Sequence, residues 1–344
     1  MNIICKIREN DISELLRKVL NKVAPYPKGI GVEIMTVCNL KCKHCRVNII
    51  DVEPQMMELN FFKQIVDRIS PIIKKVVTFQ FSTIEPFFHP QLFAMMDYVS
   101  KYNKYISYPL LTNGMLLNDK NIASLCSRRV PSVTVSLDGC KQETVESFKT
   151  GAKFDKIINN IKILKKMDKP KVNTIFVATS LNIGELVDYV DFCADLGINR
   201  IFVNGFLSYL PELSHLSFYS KEGNLEVRKV FLKANERAKK RDISIQFPHL
   251  VTARKRCDNL SHMYIGENGN VSPCIHLARK TPLALMGEKG VTIPIMSGNV
   301  FKENPVHIWS RLAKSRSEPM SACRLCAEAH GVIVSKSSAL KDLL

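Results

Sequence analysis

Cys38-Asn39-Leu40-Lys41-Cys42-Lys43-His44-Cys45 is the stretch that decides how this chain reads. Its cysteines are spaced C-x3-C-x2-C. Three thiolates on one tight loop can hold three irons of a [4Fe–4S] cube, a cluster that usually takes four cysteines. The fourth iron is then open, and an open coordination site is where chemistry happens. The bland alternative is a zinc site, but zinc usually takes paired C-x2-C arms and four ligands in all.

Outward from this loop the chain alternates apolar strands and amphipathic helices. An amphipathic helix is predicted over 11–23, with Leu15, Leu16, Val19 and Val23 on one side. A strand over Ile30–Thr36 delivers the cysteine loop. A helix near Asn60–Ile69 follows, ended by Pro71, and a second strand spans Lys75–Ser82. Next come a helix over Pro90–Tyr102 and a strand over Tyr105–Thr112, closed by the turn signal Asn113-Gly114. A helix from Asn118 to Arg128 leads to a strand over Ser132–Leu137. The periodic run Phe154–Met167, the strand Val172–Thr179, the helix Ile183–Leu196 and the strand Arg200–Asn204 complete the pattern. Six β/α units with parallel-type apolar strands predict an α/β fold, a partial TIM barrel. Active groups are then expected at the carboxyl ends of the strands.

The C-x3-C-x2-C motif after a short apolar strand, with Asn-Leu behind the first cysteine, resembles the radical SAM superfamily. The resemblance implies a (β/α)6 core whose open iron is chelated by S-adenosylmethionine (SAM). Electron transfer from the cluster breaks the C5′–S bond, giving methionine and a 5′-deoxyadenosyl radical that takes hydrogen from substrate. The cofactor carries that chemistry, and the protein supplies orientation and exclusion of side reactions. His44 stands where the family commonly has an aromatic residue near the adenine.

The strand ends extend the resemblance. Thr83-Ile84-Glu85-Pro86 matches the last two residues of the family's Gly-Gly-Glu-Pro, whose backbone meets the SAM amino group. Both glycines are missing here, so close backbone approach must be made differently. Thr112-Asn113-Gly114 matches a common Thr-Asn-Gly, which is also an ordinary turn sequence. Ser136-Leu137-Asp138-Gly139 is similar to the Ser-(Leu/Ile)-Asp-Gly of SPASM relatives, where Ser136 and Asp138 would bond SAM or substrate. Ser180, Asn182 and Glu185 are polar groups at the corresponding height after the fifth strand.

A second cysteine set lies near the other end: Cys257, Cys274, and the C-x2-C pair Cys323 and Cys326. Four thiolates can ligate a whole [4Fe–4S] cluster. They also make a structural zinc pattern. The arrangement resembles the one-cluster Twitch form of the SPASM/Twitch extension, which implies an auxiliary [4Fe–4S] cluster. His276 is a candidate to support Cys274. Tyr264–Val271 reads as a hairpin with Asn268-Gly269 as its turn, and Pro305–Arg316 as a helix. The expected domains are a helical extension over 1–28, the core over 29–250 and a cluster-binding domain over 251–344.

Four cysteines remain. Cys126 and Cys193 share helix faces with apolar residues and read as core packing, while Cys5 gives no clue. Cys140 follows Asp138-Gly139 at a strand end. A thiol there could donate hydrogen to a substrate radical, as in radical SAM epimerases; a buried or incidental thiol is the alternative.

The chain has 344 residues, 46 % of them hydrophobic, enough for a sizeable core. The 11 cysteines, with no signal-peptide layout, point to metal or catalysis in a reduced cytoplasmic compartment rather than to disulfides. No apolar run approaches the roughly 18 residues of a membrane span. The net charge of +17 is spread over helix faces and loops, as a solvated surface would be, and no RNA-recognition signature accompanies it. The resulting expectation is an enzyme acting on a small polar substrate: a sugar, cyclitol or nucleoside derivative. A peptide maturase is the second reading, and a non-enzymatic iron–sulfur or zinc protein binding RNA or a partner is the third. The resemblance also implies a reductase such as flavodoxin or ferredoxin as electron donor.

Overall fold

The computed structural model describes residues 26–49, 52–81, 84–219, 223–250, 261–285 and 288–314. Seven parallel strands follow chain order: β1 (Gly29–Val32), β2 (Thr78–Phe81), β3 (Leu110–Thr112), β4 (Ser132–Ser136), β5 (Lys171–Ala178), β6 (Arg200–Gly205) and β7 (Ser244–Gln246). A bridge between Thr78 and Ser107 links β2 to the approach of β3. An eighth strand, β8 (His262–Ile265), lies parallel to β1 on its other edge. β9 (Asn270–Ser272) turns back antiparallel to β8, and β12 (Gly298–Asn299) pairs with β9. Among the described residues nothing pairs with the outer edge of β7. The sheet is therefore a partial barrel, with one more core strand than the six read from the sequence.

Helices cover its outer face. α1 (Leu59–Ile73) buries Phe62, Ile65, Val66, Ile69, Ile72 and Ile73, an apolar stripe at helical spacing. α2 (Leu92–Ser100), α3 (Asp119–Cys126), α5 (Phe154–Lys165), α6 (Leu186–Asp195) and α7 (Leu225–Lys240) repeat the pattern. Asn118 caps α3 through the N–H of Asn121, at 3.0 Å. A short helix, α4 (Gln142–Phe148), stands between β4 and α5; its one buried residue, Val145, leaves no periodic signal in the sequence.

Several boundaries differ from expectation. Pro71 does not end α1 but lies inside it. Its missing N–H would have bonded the carbonyl of Asp67, and the Ser70 hydroxyl donates there instead, at 2.8 Å. The first strand is shorter than predicted because Ile34–Thr36 leaves the sheet to pair with residues 55–57: Met57 N–H donates to Ile34 at 2.8 Å. Cys126 is exposed rather than core, its thiol 3.2 Å from the carbonyl of Lys169, because α3 ends there. Cys193 is fully buried. The helix predicted over 11–23, together with Cys5, Cys257, Cys323 and Cys326, lies outside the described residues.

The β8–β9 hairpin turns at Gly269, whose φ of +80° favours glycine, and a Cβ there would stand 2.7 Å from the Phe301 ring. β10 (Thr281–Leu285) and β11 (Glu288–Thr292) form a second hairpin, bridged to Ser208 after β6. α8 (Pro305–Lys314) packs against α1. An ion triple centred on the buried Glu33 ties this region to the first strand. Arg279 bonds Glu33, just beyond β1, and also Glu267, at 2.5 Å. No helix among the described residues is long and apolar enough to cross a membrane.

Candidate functional site

The cysteine loop lies at the carboxyl end of β1. Turn bonds shape it: Leu40 N–H donates to Cys38 Sγ at 3.4 Å, Cys45 N–H to Cys42 O at 3.1 Å, and Asn48 Nδ2 to Cys42 O at 2.8 Å. Cys38, Cys42 and Cys45 are free thiols, partly buried, and all three line one cavity of about 340 Å³. Burial pushes all three thiols up, Cys42 to about 12 against the pull of the Lys149 ammonium. A coordinating metal reverses that balance and takes the thiolate outright. Among the described residues no three His, Cys, Asp or Glu side chains converge on a position for a single metal ion. Three thiols presented by one loop to a shared cavity are a donor set that fits three irons of a cube.

One wall of the cavity comes from the ends of β2 and β3. Glu85 is buried and accepts from the Thr112 hydroxyl at 2.8 Å and from the Asn113 N–H at 2.7 Å. Burial raises its carboxyl to about 7 despite these donors. Glu85 therefore fastens the Thr112-Asn113 turn. Asn113 Nδ2 in turn donates to Asn39 Oδ1 inside the cysteine loop, at 2.9 Å. Gly114, at φ +82°, permits the turn where a Cβ would come within 2.9 Å of Ile157.

The end of β4 adds a buried charge group. Asp138 accepts from Val177 N–H at 2.9 Å and pairs with Lys149 Nζ at 3.2 Å, both side chains almost fully buried. Lys149 also bonds the Ser136 carbonyl and, at 2.9 Å, the Ser136 hydroxyl. Ser136, Asp138 and Lys149 all line the cavity. Sequence reasoning missed Lys149, because a lysine after a short polar helix reads as solvated surface. The signal available was the helix stop Lys149-Thr150-Gly151, which turns the chain back toward the cysteine loop: Lys41 N–H meets Thr150 O at 3.1 Å.

Two candidates after β5 do not line the cavity. Asn182 is completely buried and spends its amide on Thr179, Asp138 and Val177, clasping the turn. Ser180 is exposed and donates to His215 O at 3.2 Å. Cys140 also lies off the cavity lining. Its N–H and thiol face Glu185 Oε2 at 3.1 Å and 3.6 Å, and burial with that carboxylate pushes the thiol up to about 11.

A second part of the lining is aromatic and basic. His44 meets Phe148 and Phe206 edge-on, with centroids 5.8 Å and 6.0 Å apart, and burial lowers its imidazole. Arg46, the residue after Cys45, is buried and donates from Nη1 to Ile275 O at 2.9 Å. Ile275 and His276 line the cavity, and the buried Cys274 directly precedes them. Sequence reasoning also passed over Arg46, although its place beside the last cysteine was a signal.

A parallel open barrel with three thiols at the end of its first strand defines a class of [4Fe–4S] proteins that bind SAM. Residues 32–193 match the radical SAM superfamily. The AdoMet-dependent heme synthase of Methanosarcina barkeri is 24 % identical over 331 residues, covering 87 % of this chain and 88 % of that protein. The tungsten-containing aldehyde ferredoxin oxidoreductase cofactor-modifying protein of Pyrococcus furiosus is 23 % identical, covering 82 % and 81 %. The structure of Streptococcus suis SuiB bound to precursor peptide SuiA superposes with a TM-score of 0.63 at 17 % identity, covering 96 % of this chain and 78 % of that one. The chain carries a radical SAM domain over residues 32–193 and is an enzyme of the radical SAM type, using a [4Fe–4S] cluster and SAM. An auxiliary cluster is the further cofactor of the SPASM-type branch to which its relatives belong.

Proposed function

We propose that this enzyme cleaves SAM in the cavity under the cysteine loop and removes hydrogen from a small polar biosynthetic substrate, such as a sugar, cyclitol or nucleoside derivative. One observation carries the reading: Cys38, Cys42 and Cys45 face the same cavity as Lys149, Asp138, Ser136 and the turn fastened by Glu85. On this reading the three cysteines hold the cluster. The bound cluster and SAM supply a reductive C–S cleavage whose carbon radical abstracts hydrogen. The chain's own residues orient SAM and keep water out. Lys149, held in place by Asp138 and Ser136, offers its ammonium to the carboxylate or ribose of SAM. Glu85 and Thr112 hold the turn that presents Asn113, and His44 and Phe206 flank the adenine. Asn182 and Ser180 shape the strand end without touching the ligand. Cys257, Cys274, Cys323 and Cys326 hold the auxiliary cluster.

The two curated relatives above match over more than four-fifths of both chains, and both names point to small cofactors. That supports the small substrate. A peptide substrate is the second reading. It is favoured by Val291, Ile293 and Met296, which are 53 %, 75 % and 49 % exposed along and beyond β11. Exposed Lys41 and Lys43, on the outer side of the loop beside Cys42, suit an acidic electron carrier such as flavodoxin or ferredoxin. The free thiols suit a reducing cytoplasm. The test is anaerobic turnover with reductant and SAM. 5′-Deoxyadenosine should form, and its yield should rise with the small-molecule fraction of a cell extract rather than the peptide fraction. No 5′-deoxyadenosine from fully reconstituted protein would overturn the reading.

A further inference from the structure

Arg46 is the charge in the cavity that no described residue balances. It is buried, at 9 % exposure, and it lines the cavity. Its one protein hydrogen bond among the described residues is to the carbonyl of Ile275, at 2.9 Å, and no carboxylate there lies within ion-pair distance. Two other cations among the described residues, the buried Lys149 and the partly buried Arg279, are answered. Lys149 is paired with Asp138 at 3.2 Å, and Arg279 with Glu33 and Glu267. Glu33 feels the Arg46 charge, but its carboxylate is already held by Arg279. A buried guanidinium without a counter-charge is costly, and its planar fork of donors matches carboxylate and phosphate oxygens.

We propose that Arg46, with His276 beside it on the same wall, forms a subsite for an anionic group of the substrate, a carboxylate or a phosphate. The proposal deepens the reading of this cavity as the SAM and substrate site, and rests on it. Lys149 lines the same cavity, so SAM and substrate each have a cation there. The substrate class narrows accordingly, from polar to polar and anionic.

The experiment uses the full-length protein, reconstituted anaerobically and saturated with SAM. Inorganic phosphate and succinate serve as probes in titration calorimetry. Wild type should bind at least one of them, and the preferred probe identifies phosphate or carboxylate as the group recognised. Arg46→Gln should weaken that binding by about tenfold, the loss of one charge-assisted contact, and Arg46→Lys should weaken it less. Iron content and SAM affinity of both variants should match wild type. Equal anion binding by wild type and Arg46→Gln would overturn the subsite. So would a parallel loss of iron or SAM affinity in both variants, which would assign the charge to the cofactors. The binding readout is independent of turnover. Anion binding that depends on Arg46 in a protein unable to cleave SAM would sink the proposed function and leave the subsite standing.

Discussion

The two walls of the cavity are built in different ways. The wall at the ends of β2, β3 and β4 is held by bonds between residues no more than 28 positions apart: Glu85 to Thr112 and Asn113, Lys149 to Ser136 and Asp138. The wall of Arg46, Ile275 and His276 is held by contacts between residues 229 and 246 positions apart, Arg46 to Ile275 and Arg279 to Glu33. The first wall forms once neighbouring strands pair. The second exists only when the segment after β7 has docked. Changes in the first should therefore alter binding, while changes in the second should cost stability as well.

The sharpest break is at the loop between the walls. Replacing Cys38, Cys42 and Cys45 together with Ala should abolish 5′-deoxyadenosine formation. Reconstituted wild type should hold about eight irons per chain and the triple variant about four. Undiminished SAM cleavage by the triple variant would remove the loop from the chemistry, and zinc in place of the remaining four would contradict the auxiliary cluster.

Next comes the ion triple of the second wall. Arg279→Met leaves Glu33 buried without its partner, and should lower the unfolding free energy by about 3 kcal/mol in urea titration. Glu33 is already raised above the usual carboxylate range by burial, so the folded state binds its proton more tightly than the unfolded chain does. Stability from this group is then present at low pH and lost as pH rises through the folded value. Losing Arg279 raises that value further. The deficit of the variant should be larger at pH 8 than at pH 5, and an equal deficit at both would show that Glu33 does not sense Arg279.

The first wall should respond in affinity. Lys149→Gln should weaken SAM binding by about tenfold, measured by equilibrium dialysis with labelled SAM. An unchanged dissociation constant would take Lys149 out of the SAM site. The smallest effect is expected at Cys140, off both walls. Cys140→Ser should leave SAM cleavage unchanged. With its thiol pushed up to about 11, Cys140 should react slowly with iodoacetamide at pH 8. Glu185→Gln should speed that alkylation by removing the adjacent negative charge. Loss of product formation in Cys140→Ser, with SAM cleavage intact, would restore the hydrogen-donor role.

Much of the first wall was legible in the sequence, because it is written in local signals. The cysteine spacing, the turn residues Thr112-Asn113-Gly114 and the buried apolar strands each act over a few residues. Lys149 was not legible, since only the fold turns an ordinary lysine into a buried ammonium. Asn182 was legible as polar and well placed, but not as a clasp saturated by its own turn. Pro71 misled because Ser70 supplies the compensating bond. β7, three residues long, is too short to show a period. The pairing of β8 with β1 is invisible in principle, because parallel partners far apart carry no mark of their register.

That pairing has a consequence for synthesis. β1 leaves the ribosome before the other described strands, yet one of its edges stays open until β8 has emerged. A nascent chain that has made the cysteine loop and paired β1 with β2 still carries the other edge of β1 unpaired until residues 262–265 have emerged. Such an edge is a template for association with other chains. The protein should consequently depend on chaperones during translation, and variants truncated before His262 should aggregate even though the strands from β1 to β7 are intact.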